Sequence, residues 1–262
     1  EDTEVKLSDI EEEFGSDVAL LVDGVTKVEN IAFRSKKHKQ AENFTKLFLS
    51  LARDLRVIII KFADRLNNME TIQYLSSKKR KEIALETKEI FVPLAHRLGM
   101  AQLKWKLEDL SLKCLDLRAF NGIKKKIETS SRLNEDILSN AIKPIKSELN
   151  TYKIKSNIFG RYKSISSIQR KIEKSGKKFE EIYDLYAIRI VVNKIEECYL
   201  ALGVIHSIYP PIQDRFKDFI ATPKTNGYQS IHTTVLTKDN RLTEFQIRTK
   251  DMDYTAEVGV AA

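Results

Sequence analysis

The stretch RFKDFIATPKTNGYQSIHTTV sets Arg215, Lys217, Asp218, Lys224, Asn226, Tyr228, Gln229 and His232 close together along the chain. These types suit a phosphorylated nucleoside. Arg215, Lys217 and Lys224 could neutralise a polyphosphate. Asn226-Gly227 reads as a turn that displays Tyr228, whose ring could stack on a base. The same tyrosine at a strand start is equally consistent with half-buried packing. His232 lies an even number of residues from Tyr228, so an extended backbone puts both on one face.

Two further groups could act with this one. In GRYKSISSIQRK, Gly160 would allow a tight turn before a helix. Arg161, Lys163, Ser164, Ser166, Ser167, Arg170 and Lys171 gather hydroxyls and cations at that helix start. Free N–H groups beside cations make a phosphate site, although the GxxxxGK[ST] spacing of a P-loop is absent; alone, a solvated basic helix start explains the pattern as well. Asp184 stands at the mouth of an apolar strand, where a capping role is the usual one. Glu244 lies in LTEFQIRT, whose alternation sends Phe245 and Ile247 to a core and Glu244, Gln246 and Arg248 to the other face. Carboxylates from two strands could hold one Mg²⁺, with water and substrate phosphate completing its shell. In FADRLNNMETI, Asp64 and Asn68 share a helix face. Asp64 sits in an apolar run, where an unpaired carboxylate is costly unless a metal or cation relieves it.

The elements that position these groups change character along the chain. The first half reads helical. SDVALLVDGV has Ser16 as a plausible N-cap. AENFTKLFLSLARD continues the pattern, and RVIIIKFADRLNNMETI places Ile58, Phe62, Leu66 and Met69 on one face. KKRKEIALETKEIFVPLAHRLGM predicts a long helix that Pro93 kinks or breaks and Gly99 helps to end. From Trp105 to Leu149 a polar, lysine-rich helical stretch, interrupted at Pro144, reads as a connecting bundle. Beyond Asn150, YKIKSNIFG, DLYAIRIVV, YQSIHTTVL and LTEFQIRT read as strands, the last two joined by TKDNR as a hairpin. EECYLALGVIHSIY reads as a helix. The second half is therefore α+β with a mixed sheet.

The 262 residues, 42% hydrophobic, are enough for two domains, and the net charge of +8 favours anionic partners. Cys114 and Cys198, far apart, imply packed thiols in a reducing compartment rather than a disulfide framework. No apolar run reaches membrane-spanning length and no signal peptide is visible. A start at EDTEV, without methionine, suggests a piece of a larger protein.

IKFADRLNNMETI, FVPLAHRLGM, EEIYDLYAIRIVV, RFKDFIATPKTNGYQSIHTTV and EFQIRT together resemble the signatures of the long RelA/SpoT homologues, bacterial (p)ppGpp synthetase/hydrolases of the stringent response. The resemblance runs through nearly the whole chain. It implies an all-α HD-type hydrolase domain over residues 1–102, a helical connecting bundle over 103–150, and an α+β nucleotidyltransferase-like synthetase domain over 151–262.

It implies that the synthetase moves pyrophosphate from ATP to the 3′-hydroxyl of GTP or GDP with Mg²⁺. Matched by motif, Arg161, Lys163, Ser167 and Lys171 fall on the ATP-binding loop, with Arg161 stacking on adenine. Asp184 and Glu244 fall on the catalytic, Mg²⁺-binding carboxylates. Tyr228 falls on the tyrosine under guanine, and Lys217, Lys224, Asn226 and His232 on guanosine- or phosphate-contacting positions. RFKD matches the basic RxKD form of bifunctional members. A second arginine to sandwich adenine is missing from the match, since VVNKIEECYL offers none. The hydrolase implied is Mn²⁺-dependent: Asp64 matches a metal ligand, Asn68 and Thr71 nucleotide contacts, and Glu1 and Asp2 the catalytic ED pair. The family's metal-binding histidines would precede residue 1, so the metal site is incomplete as the chain stands. Ribosome and tRNA contacts would come through C-terminal regions absent here, and the location implied is cytoplasmic, without membrane. Two rival readings remain: a catalytically inactive basic regulatory or RNA-binding module, which the paired carboxylates disfavour, and a nucleotidyltransferase with another acceptor.

Overall fold

The computed structural model describes residues 5–29, 54–176, 179 and 185–261. Asp184, Glu1, Asp2 and the AENFTKLFLSLAR helix lie outside them. Two compact units divide the chain, Glu1–Phe91 and Val92–Ala262.

The described part of the first unit is all helical. It comprises α1 (Leu7–Phe14), α2 (Ser16–Glu29), α3 (Leu55–Glu70), α4 (Ser77–Glu86) and a π-helical turn, Thr87–Phe91. Ser16 is the first helical residue rather than the cap. Asp54 caps α3 by accepting from Arg56 N. The expected face of α3 forms: Ile58, Phe62 and Met69 are buried, and Leu66 is half-buried. Phe62 meets Phe91 edge-on at 6.0 Å. Asp64, expected among apolar side chains, is exposed instead, because it falls on the helix face opposite that stripe. Its carboxylate pays no burial penalty and calls for no relieving partner.

The predicted long helix over 78–98 is divided. α4 ends at Glu86, the π turn follows, and α5 (Val92–Arg97) resumes. Pro93 has no N–H for the Glu89 carbonyl, and the ladder widens just before it. Gly99 ends α5 as predicted: its N–H reaches His96 O at 3.2 Å and Met100 N–H reaches Ala95 O at 2.9 Å, the paired bonds of a Schellman motif.

The second unit is α+β. After α5 come α6 (Ala101–Leu115), α7 (Leu117–Thr151), β1 (Asn157–Tyr162), α8 (Ile165–Ser175), β2 (Tyr186–Val192), α9 (Ile195–Ile208), β3 (Lys217–Asp218), β4 (Ile231–Leu236), β5 (Leu242–Thr249) and α10 (Lys250–Val258). The sheet order is β1-β2-β5-β4-β3. Only β2 and β5, among these neighbours, run parallel. β2 is buried along its whole length, as its near-continuous apolar run requires of a central strand. TKDNR closes the predicted hairpin, with Thr237 N–H on Arg241 O at 2.9 Å.

Pro144 does not interrupt α7, which runs continuously through it. Ile137, Leu138, Ala141, Ile145 and Leu149 form a buried stripe on that helix and join one core with Ile188, Ile190, Phe245 and Ile247 of the sheet. That burial outweighs one lost helical bond. The stretch 103–150, expected as a connecting bundle, thus shares the second unit and its core with the sheet. Gly160 is a strand residue, not a turn. A Cβ there would stand 2.6 Å from Leu138 Cδ1, so glycine lets α7 lie close on β1. Cys198 is buried and its thiol is pushed up to about 12, by burial first and then by Glu197 and Glu196. No helix among the described residues is long and apolar enough to cross a membrane.

Candidate nucleotide site

A cavity of about 280 Å³ opens within the second unit, with Trp105, Arg161, Lys163, Lys224, Tyr228 and His232 in its wall. β1 supplies Arg161, the β1–α8 turn supplies Lys163 and Ser167 stands in the first turn of α8. Asn226 and Tyr228 come from the turn before β4, and His232 from β4 itself. All of these line the same cavity.

The acidic centre is Glu244 on β5. Its Oε1 lies 3.1 Å from His232 Nδ1 and its Oε2 3.3 Å from Lys163 Nζ. Gln246 Nε2 donates to Oε1 at 3.4 Å. Burial opposes ionisation, but the His232 hydrogen bond and the Lys163 ammonium outweigh it and hold the carboxyl at about 2. On the other side of the imidazole, Tyr228 Oη is 2.7 Å from His232 Nε2. Tyr228, His232 and Glu244 therefore form one hydrogen-bonded chain across the two strands, as the shared face of Tyr228 and His232 predicts.

The Asn226-Gly227 turn forms, with Gly227 at φ 77° and its N–H on Lys224 O at 2.9 Å. Tyr228 is packed rather than displayed: Phe219 and His232 meet its ring edge-on at 6.1 and 5.8 Å, and Lys224 Nζ lies 4.9 Å from its centroid. Burial, above all, pushes its hydroxyl pKa up. Asn226 uses its amide structurally. Nδ2 donates to His96 O at 3.0 Å, and Oδ1 accepts from Tyr228 N at 3.3 Å. Burial, then Lys217 and Lys104, lowers the Lys224 pKa.

Other expected residues are placed elsewhere. Arg215 and Lys217 are exposed and are absent from the cavity wall. Asp218 accepts from Ile220 N and Ala221 N, both at 2.9 Å, so it shapes the local turn. Lys171 is exposed on α8. The start of α8 does not offer the free N–H groups expected of it. Asp109 of α6 accepts from Ser166 N at 2.8 Å and Ile165 N at 3.3 Å, while Glu108 binds Arg170 Nη2 at 2.6 Å. An acidic pair from another helix already complements the dipole there. Ser164 caps the helix by accepting from Ser167 N.

Sequence reasoning missed Arg189, Arg248, Asp253 and Glu257. Arg189 Nη1 lies 3.1 Å from Asp253 Oδ1 and 2.7 Å from Glu257 Oε1. Arg248 Nε lies 2.9 Å from Asp253 Oδ1, and Arg161 Nη1 2.7 Å from Glu257 Oε1. The Arg189 and Arg248 side chains are 6% and 1% exposed. Arginine in the apolar strands YAIRIVV and EFQIRT was the available signal, since a guanidinium is buried only with partners.

Glu244, anionic and oxygen-bearing, suits Mg²⁺, which commonly takes one or two carboxylates together with substrate phosphates. In the first unit, Asp64 accepts from Asn68 Nδ2 at 3.2 Å, and Thr71 Oγ1 donates to Asn67 O at 2.9 Å. Among the described residues no cluster of three His, Cys, Asp or Glu side chains could hold a metal ion, and Glu1 and Asp2 lie outside those residues.

The second unit is α+β, and cationic side chains line a cavity beside an ionised carboxylate. Residues 160–262 match the model of the region found in RelA / SpoT proteins, and residues 1–101 match an HD domain. A guanosine-3′,5′-bis(diphosphate) 3′-pyrophosphohydrolase of Spiroplasma citri is 45% identical over 100% of this chain and 35% of its own length. A GTP pyrophosphokinase of Streptomyces antibioticus is 44% identical over 100% of this chain and 31% of its own length. The bifunctional (p)ppGpp synthase/hydrolase SpoT of Escherichia coli K12 is 43% identical over 100% of this chain and 37% of its own length. Over its whole length the chain is similar to RelA/SpoT proteins. It spans about a third of the length of these curated relatives.

Proposed function

We propose that the second unit synthesises (p)ppGpp by moving pyrophosphate from ATP to the 3′-hydroxyl of GTP or GDP. The observation that carries this reading is the convergence of Arg161, Lys163, Lys224, Tyr228 and His232 on one cavity, in which Lys163 and His232 also contact ionised Glu244. Arg161, Lys163, Ser167 and Lys171 are assigned to ATP, with Arg161 stacking on adenine. Arg189, brought beside Arg161 by the pairing of β1 with β2, is the second guanidinium that the sequence motif lacked. Tyr228, Lys224, Asn226, His232 and Lys217 are assigned to the acceptor. Tyr228 must turn its ring face out of its contacts with Phe219 and His232 to stack on guanine.

Glu244 and Asp184 would hold Mg²⁺, which supplies charge neutralisation at the transferring phosphates. Lys163 and His232 keep Glu244 ionised and in place. Lys163 also stands ready to exchange its carboxylate partner for a phosphate oxygen. The hydrolase portion is placed in residues 1–102 and the synthetase portion in 151–262, with the helices of 103–150 as its supporting wall. In the whole protein, Glu1, Asp2, Asp64, Asn68 and Thr71 are assigned to a Mn²⁺-dependent removal of the 3′-pyrophosphate; ribosome or tRNA contacts and a cytoplasmic location belong to the same reading. The test is incubation of this chain with ATP, Mg²⁺ and GTP or GDP, with products resolved by chromatography. Appearance of pppGpp or ppGpp together with AMP supports the reading. ATP binding without a guanosine product rejects it in favour of a transferase with another acceptor.

A further inference from the structure

Glu257, in the last turns of α10, lies in no motif that pointed to chemistry. Yet one of its oxygens, Oε1, accepts from Arg161 Nη1 at 2.7 Å, Arg189 Nη1 at 2.7 Å and Arg248 Nη2 at 3.4 Å. Its carboxyl stays below the ordinary range because Arg161 and Arg189 outweigh the opposing effect of burial. Trp105 of α6 stacks on the same Arg161, with the guanidinium carbon 3.8 Å from the ring centroid.

The sheet explains why such a clip is needed. Arg161 pairs with Ala187 and Phe159 with Arg189 across β1 and β2, so the two arginines are diagonal neighbours on one face. Their like charges repel: the Arg161 pKa is lowered by burial and then by Arg189. Left alone, the two guanidinium groups would splay. Asp253 restrains Arg189 and Arg248 and has no contact with Arg161 among those described, so Glu257 is the carboxylate that links Arg161 to Arg189. All of Trp105, Arg161, Arg189 and Glu257 line the cavity.

We propose that Glu257 and Trp105 are positioning residues for the donor purine. Glu257 fixes the spacing of the Arg161 and Arg189 planes, and Trp105 backs one face of Arg161, leaving the other for the base. This rests on the reading of Arg161 as an ATP contact. The rival is a placeholder role, in which Glu257 occupies the position of a nucleotide phosphate and is displaced by it. The two differ in sign: losing the carboxylate weakens ATP binding if it is a clip and tightens it if it is a placeholder.

The test is calorimetric titration of the chain with ATP and, separately, with GDP, alongside melting temperatures. For Glu257→Gln the expected result is ATP binding weakened roughly tenfold or more, the scale of a lost charged hydrogen bond, with GDP affinity changed less than about threefold, because Glu257 bonds Arg161, Arg189 and Arg248 rather than the side chains assigned to the acceptor. Glu257→Asp should recover part of the loss. Trp105→Ala should weaken ATP binding selectively and Trp105→Phe should restore it; this pair carries the test if Glu257→Gln does not fold. Trp105 is the single tryptophan of the chain, so its fluorescence in the wild-type chain should respond to ATP and lose that response in Glu257→Gln. Unchanged or tighter ATP binding in Glu257→Gln overturns the proposal. Equal loss of ATP and GDP with a lower melting temperature also overturns it, leaving Glu257 a packing residue. A wild-type chain that binds GDP and not ATP overturns the ATP-site reading itself.

Discussion

Glu244→Gln removes the charge held between Lys163 and His232 while keeping the shape of the side chain. The wild-type carboxylate is 19% exposed at its side chain, so solvent screens it only in part. Its pKa falls from 4.5 to about 2 through His232, Lys163 and Gln246, against the cost of burial. A fall of that size corresponds to roughly 3 kcal/mol of interaction favouring the ionised form. The sign follows from the direction. A folded-state pKa below the unfolded one stabilises the fold fully above the unfolded value, and the contribution disappears as pH falls from about 4.5 through about 2. Urea unfolding of wild type and Glu244→Gln at stepped pH reads the difference between them. The expected gap is largest at pH 6 and closes by roughly 2–3 kcal/mol on approaching pH 2. A gap that does not change with pH would refute the argument, because it would mean that shape and not charge couples Glu244 to His232 and Lys163.

Asp184→Asn should abolish pyrophosphate transfer and leave the melting temperature nearly unchanged; loss of a catalytic group is expected to cost about 10²–10⁴-fold, and retention of more than about a tenth of the rate would remove Asp184 from the metal assignment. Tyr228→Ala should lower kcat/KM for GTP or GDP by about 5- to 150-fold from lost stacking, with ATP little affected. Tyr228→Phe is expected to be milder but not silent, because it removes the 2.7 Å bond to His232; a net hydrogen bond is worth about 1 kcal/mol, or about fivefold, in acceptor kinetics. Gly160→Ala should destabilise the second unit by about 1–3 kcal/mol, read as an earlier unfolding midpoint, since its methyl would stand 2.6 Å from Leu138 Cδ1. An unchanged midpoint would show that Leu138 moves aside freely.

Local spacing was enough for most of the elements. The β-branched apolar run of DLYAIRIVV and the alternation in LTEFQIRT mark strands, the three-to-four spacing around Phe62 marks a helix, and Asn226-Gly227 marks a turn, because each depends on near neighbours. It was also enough to bring Tyr228 and His232 onto one face, since two-residue periodicity decides that by itself. Where sequence reading failed, a distant partner decided. The free N–H groups expected at the start of α8 are taken by Asp109, more than fifty residues away. Local sequence predicts a turn at Gly160, because its neighbour Leu138, which demands a glycine, sits on another element. Local sequence predicts a break at Pro144, because the core that holds α7 together includes the sheet, which near neighbours do not reveal.

The amino-acid sequence by itself determined the classes of structure, an all-α part followed by an α+β part with a mixed sheet, and the residue types available for phosphate and base. Only the tertiary structure decided which of those residues meet. Lys163 and His232 flank Glu244 because β4 and β5 pair in one register and the β1–α8 turn closes over them, while Arg215 and Lys217, equally basic in sequence, stay outside the cavity wall. The arginine cluster on Glu257 was hidden for the same reason. Burying Arg189 and Arg248 in apolar strands is tolerable only with carboxylates that α10 delivers from the far end of the chain, and no local pattern carries that information.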